Sequence, residues 1–262
     1  MTTYKDIGVT KAANFVGQIE IQRPPHNFFD MALIQQIATA MEEFDKDDGV
    51  RAVVLCAQGK SFCAGANFND PKREEQSTTV GGSPTNHLYQ EAVRLLRTKK
   101  PIIAAVHGAA IGGGLGVACA ADFRVTCPEA RFAANFTRLG FHPGFGLTVL
   151  LTELVGKNQA ELLFYTGRRI GGEEATRIGL ANVCVPQDQV RAEATKLAAE
   201  IAESAPLAII STRKTMRGTL ADRVKAATDH ELKEQTWLRG TEDFKEGVKA
   251  TNERRVANWK GR

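Results

Sequence analysis

Apolar residues recur along this chain in two rhythms, short unbroken runs and longer stretches spaced by three and four. The runs Ala52-Val53-Val54-Leu55-Cys56-Ala57 and Ile102-Ile103-Ala104-Ala105-Val106 predict buried strands. Upstream of the first run, residues 29–44 place Leu33, Ile34, Ile37, Met41 and Phe44 on one helical face, with Asp30 near the start and Lys46-Asp47-Asp48-Gly49 after the end. A second helix is predicted around Leu88 to Leu96. Strand, turn and helix thus recur, which predicts an α/β fold with a parallel sheet and crossover helices. Residues 72–86, polar and glycine-rich, read as a loop. From Gln159 the pattern turns helical, over 159–165, 172–178, 189–204, 207–217, 220–239 and 242–255. The chain divides accordingly into residues 1–190 and a C-terminal helical subdomain over 191–262, with no linker long enough to make the second part independent.

Each predicted strand runs into a glycine-containing turn. Phe62-Cys63-Ala64-Gly65-Ala66-Asn67-Phe68 follows the first, and His107-Gly108-Ala109-Ala110-Ile111-Gly112-Gly113-Gly114-Leu115-Gly116 follows the second. Such turns offer peptide N–H groups with little side chain in the way. Two of them aimed at one point make an oxyanion hole, which works by being in place before charge develops on a carbonyl oxygen. A dinucleotide-binding turn fits less well. Gly112, Gly114 and Gly116 are spaced G-x-G-x-G, and Asp122 comes too early to be the acidic residue about 20 positions on.

Further landmarks fall in a specific order: Ile19-Glu20-Ile21-Gln22-Arg23-Pro24, Ala64-Gly65-Ala66, Lys100-Pro101 before the second strand, Gly112-Gly113-Gly114, Ala121-Asp122-Phe123-Arg124, Pro143-Gly144, the segment from Leu162 to Gly167, Gly179-Leu180-Ala181-Asn182-Val183 and Phe244-Lys245-Glu246-Gly247. With these the chain resembles the crotonase (enoyl-CoA hydratase/isomerase) superfamily along nearly its whole length. The resemblance implies a ββα spiral core with a C-terminal helical trimerisation subdomain, assembled as a homotrimer or a dimer of trimers. It implies an acyl-coenzyme A thioester as substrate, no tightly bound cofactor, and oxyanion donors at the backbone N–H of Ala66 and Gly113. It also implies substrate contacts at Arg23, Pro25, His26, Ala64, Asn67, Phe68, Gly112, Gly114, Phe136, Leu139 and Gly144, and a contact of Arg254 with the coenzyme A phosphates. The basic tail around Arg254 reads first as a solvated helix face, ahead of that contact.

Hydration needs groups that hold a water and move its proton. Two glutamates do this in the hydratases that the chain resembles, and by register their positions here are Gly116 and Phe136. The aspartate nucleophile of the aryl-CoA dehalogenase branch aligns at about Gly144. Other proton carriers are therefore considered. A histidine side chain can serve as acid or base near neutrality, and His142 lies on the loop that lines the acyl pocket of relatives, so it is the candidate acid or base. His87, His26, His107 and Glu153 rank below it. Phe136, Phe141 and Phe145 point to a bulky or aromatic acyl group, or to ordinary core. The expected activity is that of an enoyl-CoA hydratase/isomerase-type lyase or isomerase, as in fatty acid metabolism. The alternatives are a non-catalytic acyl-CoA-binding protein, and a hydrolase or lyase with a relocated acid/base.

Composition narrows the classes further. At 262 residues and 43% hydrophobic content, one large α/β domain or a domain with a helical appendage is reasonable. The formal net charge of +4 is too small to argue for nucleic acid. Five cysteines without C-x-x-C or a partner histidine at metal spacing read as reduced, packed thiols, with Cys63 a remote candidate nucleophile and no metal site expected. A polar N-terminus and no apolar run of about 18 residues predict a cytoplasmic protein that does not enter a membrane.

Overall fold

A computed structural model of the chain describes residues 2–67 and 87–262. Phe68, the stretch 72–86 and the side chain of His87 lie outside the described residues. An antiparallel hairpin of β1 (Ile7–Lys11) and β2 (Val16–Ile21) opens the fold. The 15-residue helix α1 (Met31–Asp45) follows, capped by Asp30, whose carboxylate accepts the Leu33 N–H at 2.8 Å. It buries Leu33, Ile34, Ile37, Met41 and Phe44, the face that their spacing predicts.

From there the chain three times runs a longer strand, a three-residue strand and a helix. These are β3 (Ala52–Ala57), β4 (Ser61–Cys63) and α2 (His87–Arg97), then β5 (Ile102–Val106), β6 (Ala109–Ile111) and α3 (Gly113–Ala120), then β7 (Phe123–Thr126), β8 (Arg131–Ala133) and, past a 3-10 turn at Thr137–Leu139, α4 (Leu147–Val155). After α5 (Lys157–Thr166) come β9 (Arg169–Ile170), α6 (Gly172–Arg177) and β10 (Val183–Cys184). Among the described residues the strands form two sheets. The larger runs β1-β2-β3-β5-β7-β10 and is parallel from β2 onward, and the smaller runs β4-β6-β8-β9. Every residue of β3 and β5 is buried, as befits inner strands of a parallel sheet covered on both faces.

Four helices complete the chain: α7 (Val190–Ala202), α8 (Pro206–Arg217), α9 (Leu220–Leu238) and α10 (Glu242–Asn252). Helix α7 packs on β2, β3, β5 and β7, and α9 packs on α2 and α4. Helix α8 is tied to the core by ion pairs at 2.9 Å from both Arg213 and Arg217 to Asp122. Helix α10 lies on the 3-10 turn, where a Cβ at Gly247 would come within 2.5 Å of the Leu139 carbonyl carbon.

Candidate active site

The three-residue strands bring the two glycine turns together. Strands β4 and β6 are parallel neighbours, with Ser61 opposite Ala109 and Cys63 opposite Ala110. Their C-terminal ends therefore leave the sheet side by side. The turns then interlock through backbone. A Cβ on Gly65, whose φ is +81°, would lie 2.6 Å from the Ile111 carbonyl oxygen and 3.8 Å from the Gly113 nitrogen, and one on Gly114 would lie 2.0 Å from the Cys63 carbonyl oxygen. Each turn thus needs a glycine because the other turn's carbonyl fills the space of a side chain. Gly113 opens α3, so its N–H precedes the intrahelical ladder and sits at the positive end of the helix dipole.

Both turns face a cavity of about 520 Å³. Of the residues expected at the site, His26, Ala64, Ala66, Asn67, Gly112, Gly113, Phe136, Leu139 and Gly144 line it. Others stand elsewhere. Arg23 pairs with Asp6 at 2.8 Å and Asp30 at 2.9 Å, and the Pro25 carbonyl accepts the N–H groups of Lys60 and Ser61, so both brace the loop that carries His26. The buried Asn27 amide ties the same loop to the carbonyls of Gln58 and Ser61. Gly114 packs beneath the turn, and Arg254 is exposed beyond α10, whose Thr251 and Asn252 reach the cavity instead. His142 faces a different cavity. Its Nδ1 lies 2.7 Å from the Pro143 carbonyl oxygen, and its ring is edge-on to His230.

The two positions where the resemblance implies glutamates are filled rather than vacant. A Cβ on Gly116 would fall 2.6 Å from the Phe145 ring, and Phe136 turns its own ring to the cavity. At Gly144 the corresponding space holds the Tyr89 hydroxyl and the Gln235 amide, 2.2 and 2.4 Å from a built Cβ. Tyr89 donates to Gln235 Oε1 at 2.8 Å, while Gln235 Nε2 donates to the carbonyls of His142 and Pro143. Burial pushes the Tyr89 phenol up, away from ionisation. Sequence reasoning did not find this pair, because its members lie 146 positions apart and neither belongs to a local motif. Among the described residues the only carboxylate lining the cavity is Asp30, already engaged by the Leu33 N–H and Arg23. Burial pushes the Cys63 thiol up to about 12, which removes it as a nucleophile. His107 is held at 3.0 Å from the Gly59 carbonyl oxygen, and Glu153 pairs with Arg223 outside the cavity.

Comparison with known proteins gives a consistent result. Residues 11–262 match the family model for enoyl-CoA hydratase/isomerase. The short-chain-enoyl-CoA hydratase of Clostridium acetobutylicum is 34% identical over 244 residues, spanning 92% of this chain and 92% of the relative. The 2,3-dehydroadipyl-CoA hydratase of Escherichia coli K12 is 30% identical over 245 residues, spanning 93% and 94%. The crystal structure of an enoyl-CoA hydratase/isomerase from Pseudoalteromonas atlantica T6c superposes with a TM-score of 0.85 at 30% identity, covering 98% of this chain and 100% of the other.

Proposed function

This chain belongs to the enoyl-CoA hydratase/isomerase, or crotonase, family, and from that premise we propose that it binds an enolisable acyl-CoA thioester with the carbonyl oxygen between the N–H groups of Ala66 and Gly113. One arrangement carries the reading: two backbone turns, interlocked through Gly65 and Gly114, open together on one cavity partly lined by phenylalanines. Donors fixed by backbone need no reorganisation as the thioester carbonyl gains negative charge, and each is worth roughly 3–4 kcal/mol to an enolate-like transition state. Phe29, Phe136 and Phe145 keep the surroundings apolar, which strengthens both hydrogen bonds.

The test is vibrational. Crotonyl-CoA labelled with carbon-13 at the thioester carbonyl is bound, and its infrared carbonyl stretch is compared with that in solution. A shift to lower frequency is expected, and an unshifted stretch in bound thioester would sink the oxyanion hole. The filled positions at Gly116 and Phe136 favour a second reading, in which the chain binds and polarises the thioester but does not hydrate it. Mass spectrometry on a panel of 2-enoyl- and 3-enoyl-CoA thioesters separates the two. Gain of water establishes hydration, altered retention at constant mass a double-bond shift, released coenzyme A hydrolysis, and unchanged bound thioester a binder.

A further inference from the structure

A second cavity, of about 940 Å³, adjoins the first and is lined in part by His142. Of all the described residues, Phe141 alone lines both. The segment around it alternates between them: Leu139 and Gly144 face the first cavity, and Gly140, His142 and Pro143 face the second. The end of α9 does likewise, with Gln235 and Arg239 on one side and Trp237 and Leu238 on the other. The two cavities therefore meet at Phe141, among residues that alternate from one lining to the other.

We propose that Phe141 sets the upper length of the acyl group, as the side chain that, among the described residues, stands between the acyl cavity and the second one. This rests on the acyl-CoA reading above. The ring is 6% exposed and is held on two sides, with the Phe244 ring 5.1 Å away and the Arg239 guanidinium carbon 5.2 Å from its centroid. Its backbone is braced as well. The Phe141 N–H donates to the Phe136 carbonyl at 3.0 Å, Gly140 is seated against the Asp243 carbonyl, and Gln235 holds the carbonyls of His142 and Pro143. A ring so fixed acts as a stop, not as a gate. The wild-type substrate class is then short, medium or compact aromatic acyl groups that end at Phe141. Removing the ring joins the two cavities and gives a longer chain an apolar path past Phe164 and Leu238.

The experiment titrates butyryl-, octanoyl- and dodecanoyl-CoA, each referred to coenzyme A alone, into the wild type, Phe141→Ala and Phe141→Leu by calorimetry. In the wild type, affinity is expected to stop rising beyond octanoyl. In Phe141→Ala it continues at about fourfold per methylene admitted, roughly 250-fold for the four that separate octanoyl from dodecanoyl, with Phe141→Leu between. Should the alanine variant fail to fold, the leucine variant decides, because it keeps an apolar side chain while shortening the stop. A dodecanoyl to octanoyl ratio that is the same in the wild type and the folded variants would overturn the proposal. A wild type that binds none of the three thioesters would instead remove the acyl-CoA reading beneath it.

Discussion

Gly116, where the resemblance implies a glutamate, shows at the scale of one residue why a side chain is not readily accepted there. Its Cα–Cβ direction runs into the Phe145 ring, with built contacts of 2.6 and 2.8 Å, and Phe145 is itself 2% exposed and packed against Phe29. Overpacking of this kind costs roughly 1–3 kcal/mol. Gly116→Ala should therefore lower the urea midpoint by that equivalent, and Gly116→Glu should lower it further without creating hydratase activity. A Gly116→Ala protein as stable as the wild type would mean that Phe145 yields freely and that the site can accept a side chain. Gly113 is confined in the same way, since a Cβ there would come within 2.2 Å of the Phe29 ring. Substitution at Gly113 thus changes packing along with the N–H, which is why the vibrational test uses the unaltered protein. The glycine turns were legible in the sequence because their residue type states a backbone need. Tyr89 and Gln235 were not, because what joins them is the packing of α2 against α9.

Helix α3 is the element that links chemistry to stability. Its first residue is the proposed donor Gly113, and its other end is held by arginines, with Arg217 Nη2 donating to the Ala120 carbonyl at 2.8 Å and Arg124 Nη1 to the Ala121 carbonyl at 2.9 Å. Cations at a helix C-terminus complement the dipole, and here they also satisfy carbonyls that the helix leaves open. Asp122 completes the clamp by pairing with both Arg213 and Arg217, whose side chains are 7% and 14% exposed. Removing one partner of a buried pair strands the others, at about 3–5 kcal/mol. Asp122→Ala should lose stability of that order in denaturant melts, and a loss under about 1 kcal/mol would show the arginines to be solvated once released. The long helices were readable from period alone, and α1, α2 and α7 to α9 lie within two residues of the predicted spans. The second sheet was not, because β4, β6 and β8 are three residues each, too short to display an alternation. Helix α4 was given no span, although Glu153 reads as helical, because Leu147, Val149, Leu150 and Leu151 crowd one short, glycine-bounded segment whose period is ambiguous.

Across the whole molecule, the C-terminal helices supply parts that the core cannot do without. Helix α7 covers β2, β3, β5 and β7, whose apolar runs would otherwise meet water on that face. Helix α8 brings the partners of Asp122, and α9 brings Gln235 to Tyr89 and the fully buried Glu231 to the Gly146 and Thr148 N–H groups. The sequence division at residue 190 follows a change of pattern, but these contacts run across it. They tie the two segments at sites spread from the sheet to the cavity wall, so neither has a closed hydrophobic surface of its own. Unfolding should then be one cooperative event. Scanning calorimetry of the full chain is expected to give a single transition with equal calorimetric and van't Hoff enthalpies, while a chain ending at residue 190 should show no cooperative heat absorption. A truncated chain that melts as sharply as the full one would make the helices an appendage, and it would leave Tyr89 without Gln235 in an otherwise folded cavity.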